Sequence, residues 1–399
     1  MNDANVNGVK QNIERVFEEN SAQVTALAHA INATPELAFY EHVTSAAIIE
    51  ALSENGFFDV ETGVGGLETA FIATAGSGDL VFGICAEMDA LPDIGHGCGH
   101  DAIAASAVGA ALALAPFVDQ LGLTLKVFGT PAEESGTGKE VLLNRGVFDG
   151  THAAIMIHPS LKDVVEPTFR AARSWRITYN GRGGHASRPW SALNAADATV
   201  VAQTSIGLLR QQLRDGILVH QVVKEAGSAV NVIPDQAVVE CMIRCNTLAE
   251  VDEVWERVRL CFEAGALATG VEVNIAPLPS LYREFRHDQD LAPLFRKNAQ
   301  AHGRTFPQYP DTLFGSTDMG NVSQFIPALH PMLSFDLPPE DGNHTAAFAA
   351  ASAGPQGDKF VREGGLAMAL TIADVALSEH VRRRLLNERP TSTYADTYR

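Results

Sequence analysis

Three short runs carry the residue types that could do chemistry. Glu87-Met88-Asp89-Ala90-Leu91-Pro92-Asp93-Ile94-Gly95-His96-Gly97-Cys98-Gly99-His100-Asp101 crowds carboxylates, two imidazoles and a thiol into one glycine-rich loop. Glu133-Glu134 follows Thr130-Pro131-Ala132, and His158 precedes Pro159. Cys98 and His100 can point at one cation, with glycines on either side letting the backbone fold around it. Read alone, Cys98 is equally a buried small thiol, since free cysteine is among the most buried residue types. As a nucleophile with His100 as its base it is poorly supported, because two residues so close in one loop suit a shared cation better than proton transfer. Adjacent residues in extended backbone point in opposite directions, so Glu133 and Glu134 can hold different roles. One carboxylate can bind a metal while the other takes a proton from water and hands it to a leaving amine, the division of labour that metal-assisted hydrolysis needs. An isolated acidic pair is otherwise a solvated turn. His158 closes an apolar strand, an unusual place for a merely exposed histidine. His344, in Gly342-Asn343-His344-Thr345, says little by itself. Of the remaining histidines, His29, His42, His152, His220, His287, His302, His330 and His380 receive no role, and His96 is either part of the turn or stands behind the ligands.

These runs need elements that hold them together. Leu80 to Ala86 is an apolar run that predicts a buried strand, and the Ala-rich run from Ala102 to Phe117 predicts a buried helix. Gly122 to Gly129 and Ala153 to Ile157 predict two further strands, ending at Glu133/Glu134 and at His158. Around them lie helices at about 8–31, 43–55 and 141–145, and a strand pair at 60–64 and 68–75. Alternating strands and helices specify a mostly parallel sheet with helices on both faces. In such a sheet all three strand ends lie on one edge, where open α/β sheets place their ligand sites. Three strand ends that all carry ligand or acid–base residues are hard to explain structurally. Beyond Glu166-Pro167 the order becomes strand–helix–strand–strand–helix–strand, predicting a ferredoxin-like α+β domain inserted over about 168–284 in a catalytic domain of 1–167 plus 285–399. The chain then returns through a helix at 291–301 and the loops around Ser316 and His344 to a long closing helix at 358–378. The tail from Pro390 is polar and expected to fray.

Bulk properties exclude some partners. The 399 residues suffice for two domains, and 46% hydrophobic with 19% charged residues describes a globular chain. A formal net charge of −19 argues against nucleic acid or an anionic membrane as partner. Five cysteines without a paired framework suit a reducing cytoplasm, with Cys241 and Cys245 read as structural thiols. No basic and apolar leader opens the sequence, so a signal peptide is not expected. The Ala102–Phe117 run reads as too short and too weakly apolar for a membrane span.

The ordered set Asp89-Ala90-Leu91-Pro92, His96-x-Cys98-Gly99-His100-Asp101, Pro131-Ala132-Glu133-Glu134, His158-Pro159, Gly184-His185-Ala186 with Pro189, Asn231-Val232-Ile233-Pro234 and His344-Thr345 resembles peptidase family M20, subfamily D. The Glu87–His96 run and Gly315-Ser316-Thr317-Asp318-Met319-Gly320 are similar to the subgroup of aminobenzoyl-glutamate hydrolases and M20-domain dipeptidases. The resemblance implies a hydrolase-like zinc-peptidase catalytic domain with an inserted lid or dimerisation domain. It implies two divalent metal ions, for which Cys and His favour zinc while the carboxylate also suits manganese or cobalt. Carried over residue by residue, Cys98, His100, Glu134, His158 and His344 are the ligands, with Cys98 bridging. Glu133 is the general base, and Asp89 orients a ligand histidine. His185 stabilises the oxyanion in the site of a partner subunit of a homodimer. Asn231, Arg244 and Ser316 are candidates for holding the substrate, although Arg244 is equally a structural strand arginine. The implied reaction cleaves the amide bond between an acyl or aminoacyl group and an amino acid, so the partner is a small N-acyl amino acid or dipeptide-like molecule. The alternatives are a dipeptidase or carboxypeptidase on free peptides, and a catalytically silent metal-binding subunit that need not have kept Glu133. Two departures, Ile103 in place of a histidine and Thr317 in place of a glutamate, fit the dipeptidase-like subgroup.

Overall fold

A computed structural model describes residues 3–310, 312–388 and 393–394. The start at Met1-Asn2 and nearly all of the tail expected to fray from Pro390 lie outside the described residues. The chain separates into two compact units, one of 1–168, 285–314 and 318–399, the other of 169–284 and 315–317.

The first unit is built on a six-stranded sheet. Its order is Asp59–Thr62, Phe71–Ala75, Leu123–Thr130, Leu80–Glu87, Ala153–Ile155, Ala328–Leu329. Leu80–Glu87 runs parallel to both of its neighbours, and Ala328–Leu329 continues the parallel set; the two strands at the other edge are antiparallel. Leu80–Glu87 reads as a near-continuous apolar run because both faces of a central parallel strand are buried. Alternate residues enter different cores. Phe82, Ile84, Leu125 and Val127 pack with the helices Asp3–Ala33, His100–Leu114 and Pro355–Leu377, whereas Cys85 and Phe128 join Leu142, Leu143, Met319 and Val322 on the opposite face. A short parallel pair, His158–Ser160 with Met332–Ser334, follows the sheet edge. The strand expected at 153–157 is therefore two pieces, Ala153–Ile155 and His158–Ser160, each pairing separately.

The helix after the Glu87–Asp101 loop corrects one expectation. The segment His100–Leu121 has 22 residues and is long and apolar enough to cross a membrane, contrary to the expectation from sequence. Every residue of His100–Leu114 is buried inside the unit, so burial rather than insufficient length identifies it as a core helix. Seven of its 15 residues are alanine, which favours helix and lets neighbouring helices approach.

The second unit carries the antiparallel order Glu272–Tyr282, Ala171–Asn180, Gln236–Cys245, Leu218–Glu225, with helices Ala195–Leu209 and Leu248–Thr269. The chain order strand–helix–strand–strand–helix–strand, with the fourth strand beside the first, is the ferredoxin-like arrangement. Its core holds Ile177, Val239, Cys241, Cys245, Val258 and Phe262, and Trp175 stacks on Trp255 at 3.9 Å between ring centroids. Thr247 caps the longer helix by accepting from Glu250 N, and Gly270 ends it in the left-handed conformation. A two-residue ribbon pairs Gly184–His185 with Val232–Ile233.

Candidate metal centre and active site

The site forms where the parallel strands end. Glu87 is the last residue of the central strand, and Asp89 lies two residues on. Gly99 sits at φ 77°, and a Cβ there would lie 2.5 Å from Pro159 Cγ; only glycine allows this approach, which brings Cys98 and His100 up to His158. After Leu123–Thr130 the chain turns through Ala132, which is left-handed at φ 60°, into the one-turn helix Glu133–Gly136. Three successive backbone N–H groups of this turn are held by two buried carboxylates. Ala132 N donates to Glu41 Oε1 at 2.9 Å, Glu133 N to Asp89 Oδ1 at 3.0 Å and Glu134 N to Asp89 Oδ2 at 3.0 Å. The extended backbone expected at Glu133-Glu134 is thus corrected to a helical turn, favoured because carboxylates meet a helix N-terminus there. His344 is also left-handed (φ 69°), and its N–H donates to Gly97 O at 2.8 Å.

The donor atoms of Cys98, His100 and His158 lie within 4.8 Å of one another, as do those of Cys98, Glu134 and His344, and those of His100, Glu133 and Glu134. Cys98 and Glu134 therefore link neighbouring groups. Glu134 Oε1 lies 3.6 Å from His344 Nε2 and 4.0 Å from His100 Nε2. His100 Nδ1 is fixed by the carbonyl of Asp89 at 2.7 Å, with Asp89 Oδ1 at 3.2 Å, leaving Nε2 to face the other donors. The main-chain oxygen is thus the nearer partner of the histidine, and the Asp89 carboxylate chiefly holds the Glu133 and Glu134 backbone. His158 Nδ1 is held by Pro159 O at 2.8 Å.

These residues fit a divalent cation. His100 Nε2 and Glu134 Oε1 are buried yet make no hydrogen bond, and a bound cation is the partner such atoms lack. Five carboxylates, those of Glu87, Asp89, Glu133, Glu134 and Asp318, crowd the region against the ammonium of Lys139. The two adjacent glutamates are driven apart. Burial and the neighbouring Glu87, Glu134 and Asp318 push the Glu133 carboxyl well above the usual carboxylate range. Burial also acts to raise Glu134, but His344, His100 and Cys98 outweigh it and hold the group at about 2. Opposite shifts in paired carboxyls separate an anionic ligand from a proton acceptor. Burial works against charging His100, but Glu87 and Asp89 overcome it and raise its pKa. The Cys98 thiol is pushed up by burial and by Glu134, a bias that a coordinated dication reverses.

Of the residues singled out in the sequence, Asp89, Cys98, His100, Glu133, Glu134, His158 and His344 are brought together in the first unit. His185, Asn231, Arg244 and Ser316 belong to the second. There, His185 pairs with Val232, Asn231 O accepts from Ala186 N at 3.0 Å, and Arg244 Nη1 donates to Ser316 Oγ at 2.9 Å. His96 is 2% exposed and joins none of the donor groups among the described residues. Four buried contributors receive no role from the sequence, although Asp318 lies in the Gly315–Gly320 run: Glu41, which holds Ala132 and Thr69; His330, whose ring packs at 5.8 Å on that of His158; and Lys139 with Asp318 beneath Glu87. Asp89→Asn puts an amide N–H against a backbone N–H, so metal affinity falls about 10- to 100-fold, measured by titrating divalent cation into metal-free protein.

Comparison with known proteins identifies the family. A model of peptidase family M20/M25/M40 matches residues 83–349, spanning Glu87 through His344. The chain is 32% identical to a Mus musculus Xaa-Arg dipeptidase over 94% of its length and 91% of the relative's. It is 30% identical to a p-aminobenzoyl-glutamate hydrolase component of Escherichia coli (strain K12) over 66% of its length and 59% of the relative's. Its fold superposes with a TM-score of 0.65 on a Bacillus subtilis protein described as a dinuclear metal binding peptidase from the M20 family, at 22% identity, covering 90% of this chain and 99% of that one. The chain belongs to peptidase family M20/M25/M40 and is a metal-dependent amidohydrolase.

Proposed function

We propose that this protein cleaves the amide bond between an acyl or aminoacyl group and an amino acid, with Glu133 as general base. Cys98, His100, Glu134, His158 and His344 would hold two divalent cations, Cys98 being common to two of the donor groups, and the soft thiolate with three imidazoles favours zinc. The observation that carries the reading is that Glu133 stands among these donors but outside the Cys98–Glu134–His344 group, with its pKa driven opposite to that of Glu134. Divalent cations at such a site acidify a water and polarise the scissile carbonyl. The Glu133 carboxylate takes the water's proton and returns it to the leaving nitrogen; its raised pKa suits both halves of that transfer. Asp89 and Glu41 keep the Glu133–Glu134 turn in place.

In the same reading His185 stabilises the oxyanion, Asn231 beside it contacts the substrate, and Arg244, backed by Ser316, binds the product-side carboxylate. His185 acts in the site of a second copy, and the inserted unit serves as lid and dimer contact. A homodimer is supported by the outer strand Leu218–Glu225, which exposes Val222 and Val223, and by Val200 and Leu208 exposed on the adjacent helix. A cytoplasmic setting is supported by five free thiols.

The similarity to a Xaa-Arg dipeptidase favours a second reading, hydrolysis of free dipeptides. A panel of N-acyl amino acids against the matching dipeptides, including C-terminal arginine, differs only in the free α-amino group. Turnover of the N-acyl series supports the first reading, turnover confined to dipeptides replaces it with the second, and no turnover of either with metal present contradicts both.

A further inference from the structure

Below the donor cluster lies a buried ion network that the proposed chemistry does not use. Lys139 reaches into it from the helix Gly138–Asn144, and its ammonium sits 2.6 Å from Glu87 Oε1 and 2.6 Å from Asp318 Oδ1. The Lys139 backbone N–H donates to Asp318 Oδ2 at 2.9 Å. All three side chains are fully buried. A buried lysine between two carboxylates is an expensive arrangement, and replacing such a network by apolar groups often costs nothing, so stability alone does not account for it.

The asymmetry at Glu87 points to a use. Oε1 is satisfied by Lys139, but Oε2 is buried and makes no hydrogen bond. Its polar neighbour is His100 Nε2, 3.4 Å away. Asp89 O occupies Nδ1, so Nε2 is left facing Glu87 Oε2, and neither atom makes a hydrogen bond in this dry site. A buried carboxylate oxygen left without a hydrogen bond is costly. A cation at His100 Nε2 removes that cost for both groups. From these contacts we propose that Glu87 is an additional carboxylate of the metal centre, aimed at the cation held by His100, and that Lys139 is the positioning residue that fixes it there. This inference rests on the metal-centre reading above. The ammonium is a compact charge with three donors, able to hold one oxygen of each carboxylate. It thereby leaves Glu87 Oε2 directed at the centre. It also neutralises part of the cluster of Glu87, Glu133 and Asp318, whose oxygens lie within 4.8 Å of one another.

The test is metal titration into chelator-stripped protein, with zinc and with manganese, followed by calorimetry and metal analysis. Glu87→Gln keeps the shape and the acceptor for Lys139, but turns an amide N–H onto His100 Nε2. It should weaken one of the two cation equivalents about tenfold or more and leave the other unchanged. Glu87→Asp keeps the charge, draws the oxygen back by one methylene and should act in the same direction, which covers the case in which Glu87→Gln fails to fold. Asp318→Asn alters the same network without touching Glu87 Oε2. It should lower the melting temperature of the metal-free protein while metal affinity holds. If both Glu87 variants bind two equivalents as tightly as the parent, or if Asp318→Asn weakens binding as much as they do, the network is structural and the proposal is overturned. A parent protein that takes up no divalent cation overturns the metal-centre reading itself, a failure visible without any variant.

Discussion

Replacing Glu133 by glutamine lowers kcat by about two to four orders of magnitude, the range a positioned general acid–base group supplies, while the bound metal stays in place. The expectation follows from the placement of the two glutamates. Glu134 lies with Cys98 and His344, and these neighbours hold it anionic at about 2; Glu133 lies nearer Glu87 and Asp318, and burial with those carboxylates raises it. Glutamine preserves volume and the turn, because the backbone N–H of residue 133 still donates to Asp89. It cannot accept a proton from water. Metal analysis and steady-state kinetics on one preparation check this. Near-normal turnover, or loss of metal together with activity, would remove Glu133 from its assigned role.

Cys98→Ala should act in the opposite order, with metal lost first and turnover as a consequence. Cys98 is shared by the group containing His100 and His158 and the group containing Glu134 and His344, so its removal opens both. Because losing a residue that merely orients a ligand costs 10- to 100-fold in affinity, losing a shared ligand should exceed about 100-fold. Metal content after dialysis measures it. Thermal melting gives a second readout: a cation at one hundred times its Kd stabilises the parent by about 2.7 kcal/mol, an increment the variant lacks at the same concentration. Equal metal content in the variant and the parent would return Cys98 to the role of a buried thiol.

Much of this site is legible in local sequence because its parts sit at strand ends. The apolar runs ending at Glu87, at Thr130 and near His158 fix three C-terminal strand ends on one edge, and the parallel pairing of these strands carries their terminal residues to the same place. The order of elements in 169–284 likewise suffices for the ferredoxin-like unit. What is not legible depends on contacts distant in the chain. Lys139 looks like an ordinary helix lysine until it meets Glu87, 52 residues away, and Asp318, 179 residues away. Glu41 becomes part of the site only by accepting the N–H of Ala132, 91 residues on. His330 sits in a short loop with no local sign that its ring packs on His158. The Glu133 turn escapes a local reading because its left-handed entry falls on Ala132, a residue type that does not advertise φ 60°. For the core helix, length and apolarity leave a membrane span and an interior helix alike; the helices packed around it decide.

The central claim, hydrolysis at a two-cation centre built from Cys98, His100, Glu134, His158 and His344, is tested most directly by titrating a divalent cation into chelator-stripped protein while following amide hydrolysis in the same sample. Activity should rise from background and saturate at about two equivalents per chain, as expected of a paired-metal hydrolase site. Hydrolysis that persists undiminished in the stripped protein, or full metal uptake with no hydrolysis of any N-acyl amino acid or dipeptide, would contradict it.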